Sequence, residues 1–203
     1  MLAGGRSARL GVPKQSLRLE GRSLLERALS AVAAAHTVIV VGPEAPDNVP
    51  RVREEPPFGG PAAAVAAGLE ALPAHGATSD HVLVLACDMP DAAVAVATLL
   101  DVLRATGEAD GVVAVDAAGR LQPLAAVYRV AALREAVARL ARVHPPVGTV
   151  TDHGPRTLDG VSMMRLLDGL RLTRVGVPEG STDDVDTWRD ARRFGIGQDG
   201  DHG

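Results

Sequence analysis

Short runs of β-branched and other apolar residues alternate along the chain with longer segments in which apolar residues recur every three or four positions. The first pattern predicts buried strands, and the second predicts helices with one apolar face. Strands are predicted within residues 37–42, 81–90, 110–116, 121–128 and 170–178. Helices are predicted at 23–35, 62–72, 91–106, 130–142 and 161–169, and a last helix is predicted within 184–194.

Strands and helices that alternate in this way are typical of an α/β fold. We expect a three-layer α/β/α arrangement around a mostly parallel, Rossmann-like sheet. A single domain is predicted over 1–194, because no internal repeat or second-domain boundary is visible in the chain. The polar, glycine-rich residues 195–203 are predicted to form a disordered tail.

Polar loops follow several of the predicted strands. In an open parallel sheet, ligands bind in the crevice at the carboxyl ends of the strands. Four loops are expected to meet there, namely a glycine-rich loop near residue 4, the loop over 55–61, the loop at Asp88 and the acidic loop over 183–186. The candidate site is therefore predicted at this edge of the sheet.

Composition narrows the classes of partner. The 203 residues carry a net charge of −4 and only 2% aromatic side chains, which argues against a surface for nucleic acid or membrane. The chain has one cysteine, Cys87, so it forms no internal disulfide and fits a reducing cytoplasm. The six histidines show no spacing typical of a zinc site.

The glycine-rich loop, LAGGRSARLGVPK, contains the only lysine of the chain, whereas every other fixed positive charge is an arginine. Gly4 and Gly5 allow backbone N–H groups to approach an anion, and Arg9 and Lys14 add charge of the sign that a triphosphate requires. The compact ammonium of lysine can follow charge that moves between phosphates, which the planar fork of arginine does less well. The alternative is a plain turn that binds no ligand.

A resemblance to a known family emerges when five motifs are taken together. The stretches LAGGRSARLGVPKQSL, GGPAAAVAAGL, LACDMP, QPLAAVY and DVDTWRDA occur in this order over about residues 2 to 192. Together they resemble the motifs of the molybdenum cofactor guanylyltransferases and their nucleotidyltransferase relatives. The resemblance implies transfer of GMP from GTP to molybdopterin, with Mg²⁺ as cofactor and release of pyrophosphate.

The same resemblance implies roles for individual residues. Catalytic roles fall to Lys14, Arg9 and Asp88, and Mg²⁺ is expected on Asp88 and Asp186. Nucleotide binding is implied for Leu2, Ala3, Gly4, Gly5, Lys14, Glu55, Gly60 and Asp88. Gln122 and Pro123 are expected beside the acceptor. Asp183 and Asp184 are expected to face solvent or to support the site indirectly.

Each assignment has a plainer alternative. Asp88 could cap the next helix, although Asp91 is better placed to do so. The acids over 183–186 could be a solvated loop, Glu55 a surface acid, and residues 122–128 an ordinary packed strand. If Glu55 does contact the nucleotide, its carboxylate would accept from the N1–H and amino group of guanine and so favour G over A.

The chain also departs from the family pattern. Relatives begin with a full strand before LAGG, where this sequence has only Met1 and Leu2, so either the numbering starts inside the natural protein or the first strand is truncated. Other changes fall at Leu10, Pro13, Ala62, Ala64 and the pair Trp188 and Arg189. They leave two alternatives open, a relative that uses CTP or another phosphorylated acceptor, and a degenerate paralogue that binds nucleotide without catalysis.

Overall fold

The computed structural model describes residues 1–4, 10–105, 107, 109–143 and 158–197, which form an α/β fold. Two 3₁₀ turns cover Lys14–Ser16 and Pro73–His75. The helices are α1 (Leu24–Ala31), α2 (Pro61–Ala71), α3 (Ala92–Ala105), α4 (Val130–Val143), α5 (Met163–Leu166) and α6 (Trp188–Arg193). The strands are β1 (Arg18–Leu19), β2 (Arg22–Ser23), β3 (Val40–Val41), β4 (Arg51–Val52), β5 (His81–Leu85), β6 (Gly111–Val115), β7 (Leu121–Arg129) and β8 (Leu172–Gly176).

Four of the strands form the central sheet in the order β5-β7-β6-β8. β7 runs antiparallel to both β5 and β6, whereas β6 and β8 are parallel. The parallel pair β3–β4 is linked to this sheet by Leu2, which forms parallel bridges to Val41 on one side and to Ala86 on the other. The first residues of the chain therefore lie in the middle of the strand array.

The orientation of β7 follows from the short turn that precedes it. Parallel neighbours need a crossover of about a dozen residues or more, but only residues 116–120 separate β6 from β7. The Asp116 N–H donates to the Arg120 carbonyl at 3.0 Å, and Gly119 takes the positive φ of +80° that closes the hairpin. The sheet is consequently mixed, and the expectation of a mostly parallel sheet does not hold around β7.

Alternate residues of the strands point into two separate apolar cores. Val113 and Tyr128 belong to a core that also contains apolar residues of α2, α4 and α5. Val112 and Val127 belong to a second core that contains residues of α3. This period of two is what a strand buried on both faces produces.

Local signals in the sequence predicted most of these elements. The predicted Ser23 cap is confirmed, because the Glu26 N–H donates to Ser23 Oγ at 3.1 Å and the Glu26 carboxylate accepts from the Ser23 N–H at 2.6 Å. The predicted strand over 37–42 is reduced to Val40–Val41 and the predicted helix over 161–169 to Met163–Leu166.

The structure leaves the predicted boundary of the tail open. Ile196 is buried in a core cluster, and residues 198–203 lie outside the described part of the chain. In the part that is described, no helix has the length and apolarity needed to cross a membrane.

Candidate active site

Three of the predicted site residues meet at the end of β5. Lys14 Nζ donates to Asp88 Oδ2 at 2.9 Å and also to Asp186 Oδ1. The side chains of Lys14 and Asp88 are each 19% exposed, and that of Asp186 is 45% exposed. The site is therefore partly buried and open on the Asp186 side.

The backbone around each of these residues is fixed by the fold. Lys14 opens a 3₁₀ turn in which the Leu17 N–H donates to the Lys14 carbonyl at 3.1 Å. The Cys87 N–H donates to the Leu2 carbonyl at 3.0 Å, which ties the residue before Asp88 to the central strand array. The Val185 N–H donates to the Asp88 carbonyl at 3.0 Å, and this bond joins the acidic loop to the end of β5.

Asp184 completes a cluster of three carboxylates. One oxygen each of Asp88, Asp184 and Asp186 lies within 4.8 Å of the others. Asp184 is exposed, but partial desolvation at the cluster, together with the neighbouring carboxylates of Asp186 and Asp88, raises the pKa of Asp184 above its usual value. Carboxylate oxygens are the ligands that Mg²⁺ and other hard divalent cations prefer, so the donor set fits such an ion. Asp184, which was expected to face solvent or to support the site indirectly, is exposed and lies beside the two predicted ligands.

Lys14 is the cationic partner that the structure places in this cluster. Burial by itself would lower the pKa of its ammonium, but the charges and hydrogen bonds of Asp88 and Asp186 outweigh burial and raise the pKa. Lys14 therefore stays charged at neutral pH. Its flexible stem allows the ammonium to move between these carboxylates and a bound phosphate.

Cys87 adjoins Asp88 but does not offer a nucleophile. Its side chain is buried, and burial raises the pKa of the thiol to about 12. The thiolate needed for covalent chemistry is therefore not formed near neutral pH.

The start of the predicted nucleotide loop is held closely against β3. The Ala3 N–H donates to the Val41 carbonyl at 2.8 Å, and Ala3 is buried while Gly4 is exposed. A Cβ added at Gly42 would come within 2.7 Å of the Ala3 carbonyl oxygen, so only glycine fits there. Gly5 and Arg9 lie outside the described residues.

Glu54, rather than Glu55, faces the nucleotide loop. Glu54 is buried, its Oε1 accepts from the Phe58 N–H at 3.0 Å, and the same oxygen lies 4.0 Å from the position of a Cβ built on Gly4. Glu55 is exposed. Gly60 precedes α2 with a φ of +91°, which suits glycine.

The two residues expected at the acceptor lie on β7 and are half-buried. Gln122 Nε2 donates to Asp116 Oδ2 at 2.9 Å, and the Pro123 carbonyl accepts from the Tyr128 hydroxyl at 2.8 Å. Both groups thus have partners within their own hairpin and strand, and no described contact joins them to the acidic cluster.

A cavity of about 800 Å³ lies away from this cluster. It runs along β5 from His81 to Leu85 and is lined on the other side by residues that include His36 and Ile39. Neither Lys14 nor any of the three clustered acids lines it. Its position argues against a part in the chemistry of the candidate site.

Comparison with known proteins agrees with the motifs. Residues 1–151 match the model of the MobA-like NTP transferase domain. The chain belongs to this family of nucleotidyltransferases. A protein of Opitutus terrae named "Probable molybdenum cofactor guanylyltransferase" is 38% identical over 148 residues, which cover 70% of this chain and 71% of that protein.

Solved structures show the same fold at lower identity. The molybdopterin-guanine dinucleotide biosynthesis protein A of Archaeoglobus fulgidus superposes with a TM-score of 0.67 at 19% identity, covering 95% of this chain and 94% of that one. The 2-C-methyl-D-erythritol 4-phosphate cytidylyltransferase of Thermus thermophilus gives a TM-score of 0.63 at 22% identity, with 95% and 94% covered. The fold is thus common to proteins whose names specify different nucleotides.

Proposed function

We propose that this nucleotidyltransferase moves GMP from GTP to molybdopterin with the help of Mg²⁺ and releases pyrophosphate. The observation that carries the proposal is the contact of Lys14 with Asp88 and Asp186 at the end of the nucleotide loop. The name of the Opitutus terrae relative supports guanylyl transfer as the specific reaction. We also propose the three-layer, Rossmann-like arrangement for the whole domain and the cytoplasm as its location, which the lone, buried Cys87 supports.

The proposed reaction is a phosphoryl-type displacement that needs no general base. An oxygen of the acceptor phosphate, already ionised at neutral pH, forms a bond to the α-phosphorus of GTP while the bond from that phosphorus to the bridging oxygen breaks. The electron pair of the broken bond leaves with pyrophosphate. Lys14, together with Arg9, is proposed to stabilise the charge that develops on this leaving group.

The acidic cluster is proposed to hold the cation. Asp88 and Asp186 are the expected ligands, and the position of Asp184 adds it to the set. A divalent cation supplies neutralisation of the negative charge on the triphosphate and so favours in-line attack. The chain's own contribution is to hold three carboxylates and one ammonium at one edge of the sheet.

The nucleotide is proposed to bind to Leu2, Ala3, Gly4 and Gly5. Gly60 is proposed to let the backbone approach the nucleotide. The motifs predict that Glu55 contacts guanine, but the buried Glu54 lies beside the nucleotide loop and Glu55 is exposed, so we propose Glu54 for this contact. Gln122 and Pro123 stay predictions for the acceptor.

Thermal unfolding with GTP, CTP, ATP and UTP, with and without Mg²⁺, tests the nucleotide assignment. A ligand at about 100 times its Kd stabilises by ~2.7 kcal/mol, which in a domain of this size raises Tm by roughly 5–10 °C. We expect this shift with GTP and Mg²⁺ and its loss in Lys14→Ala. A preference for CTP would contradict guanylyl transfer, and binding of GTP without release of pyrophosphate in the presence of molybdopterin would favour a non-catalytic paralogue.

A further inference from the structure

One hydrogen bond joins the two segments from which the candidate site is built. Trp188 Nε1 donates to the carbonyl oxygen of Leu10 at 3.0 Å, although the two residues are 178 positions apart in the sequence. Leu10 stands four positions before Lys14, and Trp188 stands two positions after Asp186. The bond therefore connects the segment that carries the ammonium with the segment that carries the acidic loop.

Packing and hydrogen bonds hold each partner of this bond in place. Leu10 is buried in an apolar cluster with Val185 and Ala191, and Trp188 packs against the same cluster. Trp188 is also the first residue of α6, whose start is held by hydrogen bonds between Thr187 and Asp190, with the Thr187 N–H donating to Asp190 Oδ2 at 2.9 Å. The indole thus links two anchored backbones.

This link differs in kind from the Lys14–Asp186 contact, which also joins the two segments. The ammonium leaves Asp186 whenever it moves to a phosphate, and a cation on Asp186 would repel it. The bond from the indole to a backbone carbonyl involves none of these charges, so the rearrangement of the ionic contacts does not by itself break it. We propose that Trp188 is a positioning residue, which keeps the backbone at Lys14 at a constant distance from the acidic loop while the ionic contacts rearrange.

The inference rests on the proposed function and is tested through the affinity for GTP in the presence of Mg²⁺. Trp188 is the only tryptophan of the chain, so tryptophan replacement by β-(3-benzothienyl)alanine changes this position alone and removes the N–H while preserving the shape of the ring. Trp188→Phe removes the same donor genetically. Loss of one hydrogen bond of typical strength corresponds to about fivefold weaker binding, and we expect this increase in Kd with both changes.

Phe194→Leu is the matched control. Phe194 follows the last residue of the same helix and packs on the same cluster, but the hydrogen bond to Leu10 is made by Trp188. We expect it to lower Tm and to leave the Kd of GTP unchanged. An unchanged Kd in both Trp188 replacements would overturn the positioning role while leaving the proposed function intact. If the wild type binds CTP instead, the guanylyl assignment fails and the same comparison made with CTP decides the role of Trp188; if it binds no nucleotide, both fail.

Discussion

Replacement of Lys14 by methionine is expected to strengthen the binding of a divalent cation in the absence of nucleotide. The ammonium of Lys14 contacts Asp88 and Asp186, two of the three carboxylates proposed to hold the cation. A cation that binds both must first displace the ammonium from them. Methionine keeps most of the apolar stem but offers no charge, so in Lys14→Met the carboxylates are available from the start.

The size of the effect follows from the exposure of the two contacts. A hydrogen bond between charged groups contributes ~1.5–3 kcal/mol, and an exposed ion pair contributes roughly 0.2–1 kcal/mol. The contact with Asp88 is the less exposed one, at 19% for each side chain, and we assign it about 1.5 kcal/mol. The contact with Asp186, which is 45% exposed, is assigned about 0.5 kcal/mol. The total of about 2 kcal/mol corresponds to a Kd roughly 30-fold lower in the variant.

Mn²⁺ is a suitable probe, because the electron paramagnetic resonance signal of the free ion reports the bound fraction directly. Arg193→Met is the matched control, since it removes one positive charge that is paired with Asp183 at 2.8 Å in the neighbouring part of the same loop but is not in contact with the cluster. We expect it to change the Kd little. Equal affinities of wild type and Lys14→Met would refute the displacement argument, and an equal gain in Arg193→Met would show that net charge alone controls the affinity.

Three further outcomes are expected. Glu54→Gln should weaken GTP binding in a titration whereas Glu55→Gln should not, because only the first carboxylate is buried beside the nucleotide loop. Gly42→Ala should lower the free energy of unfolding, measured by chemical denaturation, by more than ~2 kcal/mol. The added Cβ would lie 2.7 Å from the carbonyl oxygen of Ala3. Hydrogen bonds at the start of α6 hold the pKa of Asp190 below its usual value. Asp190→Ala should therefore lower the free energy of unfolding near neutral pH by roughly 0.3–1 kcal/mol. This difference from wild type should be lost as the pH falls through the folded-state pKa, and its persistence in acid would exclude the charged cap as its cause.

The elements that the sequence predicted well are those whose signals are local. The Ser23 cap with its acid three positions later, and the apolar runs that became β5, β6 and β7, depend on neighbours in the chain. The shortened helix α5 shows the limit of such signals. Apolar residues at helical spacing extend over 161–169, but Ser162 caps the start of α5 and the helix ends at Leu166 with Leu167 as its C-cap. Gly169 adopts a φ of +83°, which excludes a further helical turn there.

Asp184 could have been placed from the sequence, because Asp184 and Asp186 flank a single apolar residue. Val185 is fully buried, so the side chains on either side of it are directed away from the core and toward Asp88. The choice of Glu55 over Glu54 rests on motif position alone and stays a prediction, although Glu54 is the acid buried beside the nucleotide loop. Glu54 stands two positions after Val52, the last residue of β4, so the alternation of an extended chain places both side chains on the same side of the backbone. Motif position does not contain this information.

The departures from the family motifs acquire a different meaning once their positions in space are known. Leu10 and the Trp188–Arg189 pair stand near opposite ends of the chain and are two of the departures from the family motifs. Leu10 and Trp188 in fact share one apolar cluster and one hydrogen bond. The hydrogen bond uses the backbone carbonyl of Leu10, so the indole of Trp188 supplies the connection between the lysine segment and the acidic loop. A paralogue that binds nucleotide without catalysis would keep this connection as well, so the contact favours an intact nucleotide site, and release of pyrophosphate is the measurement that separates the two alternatives.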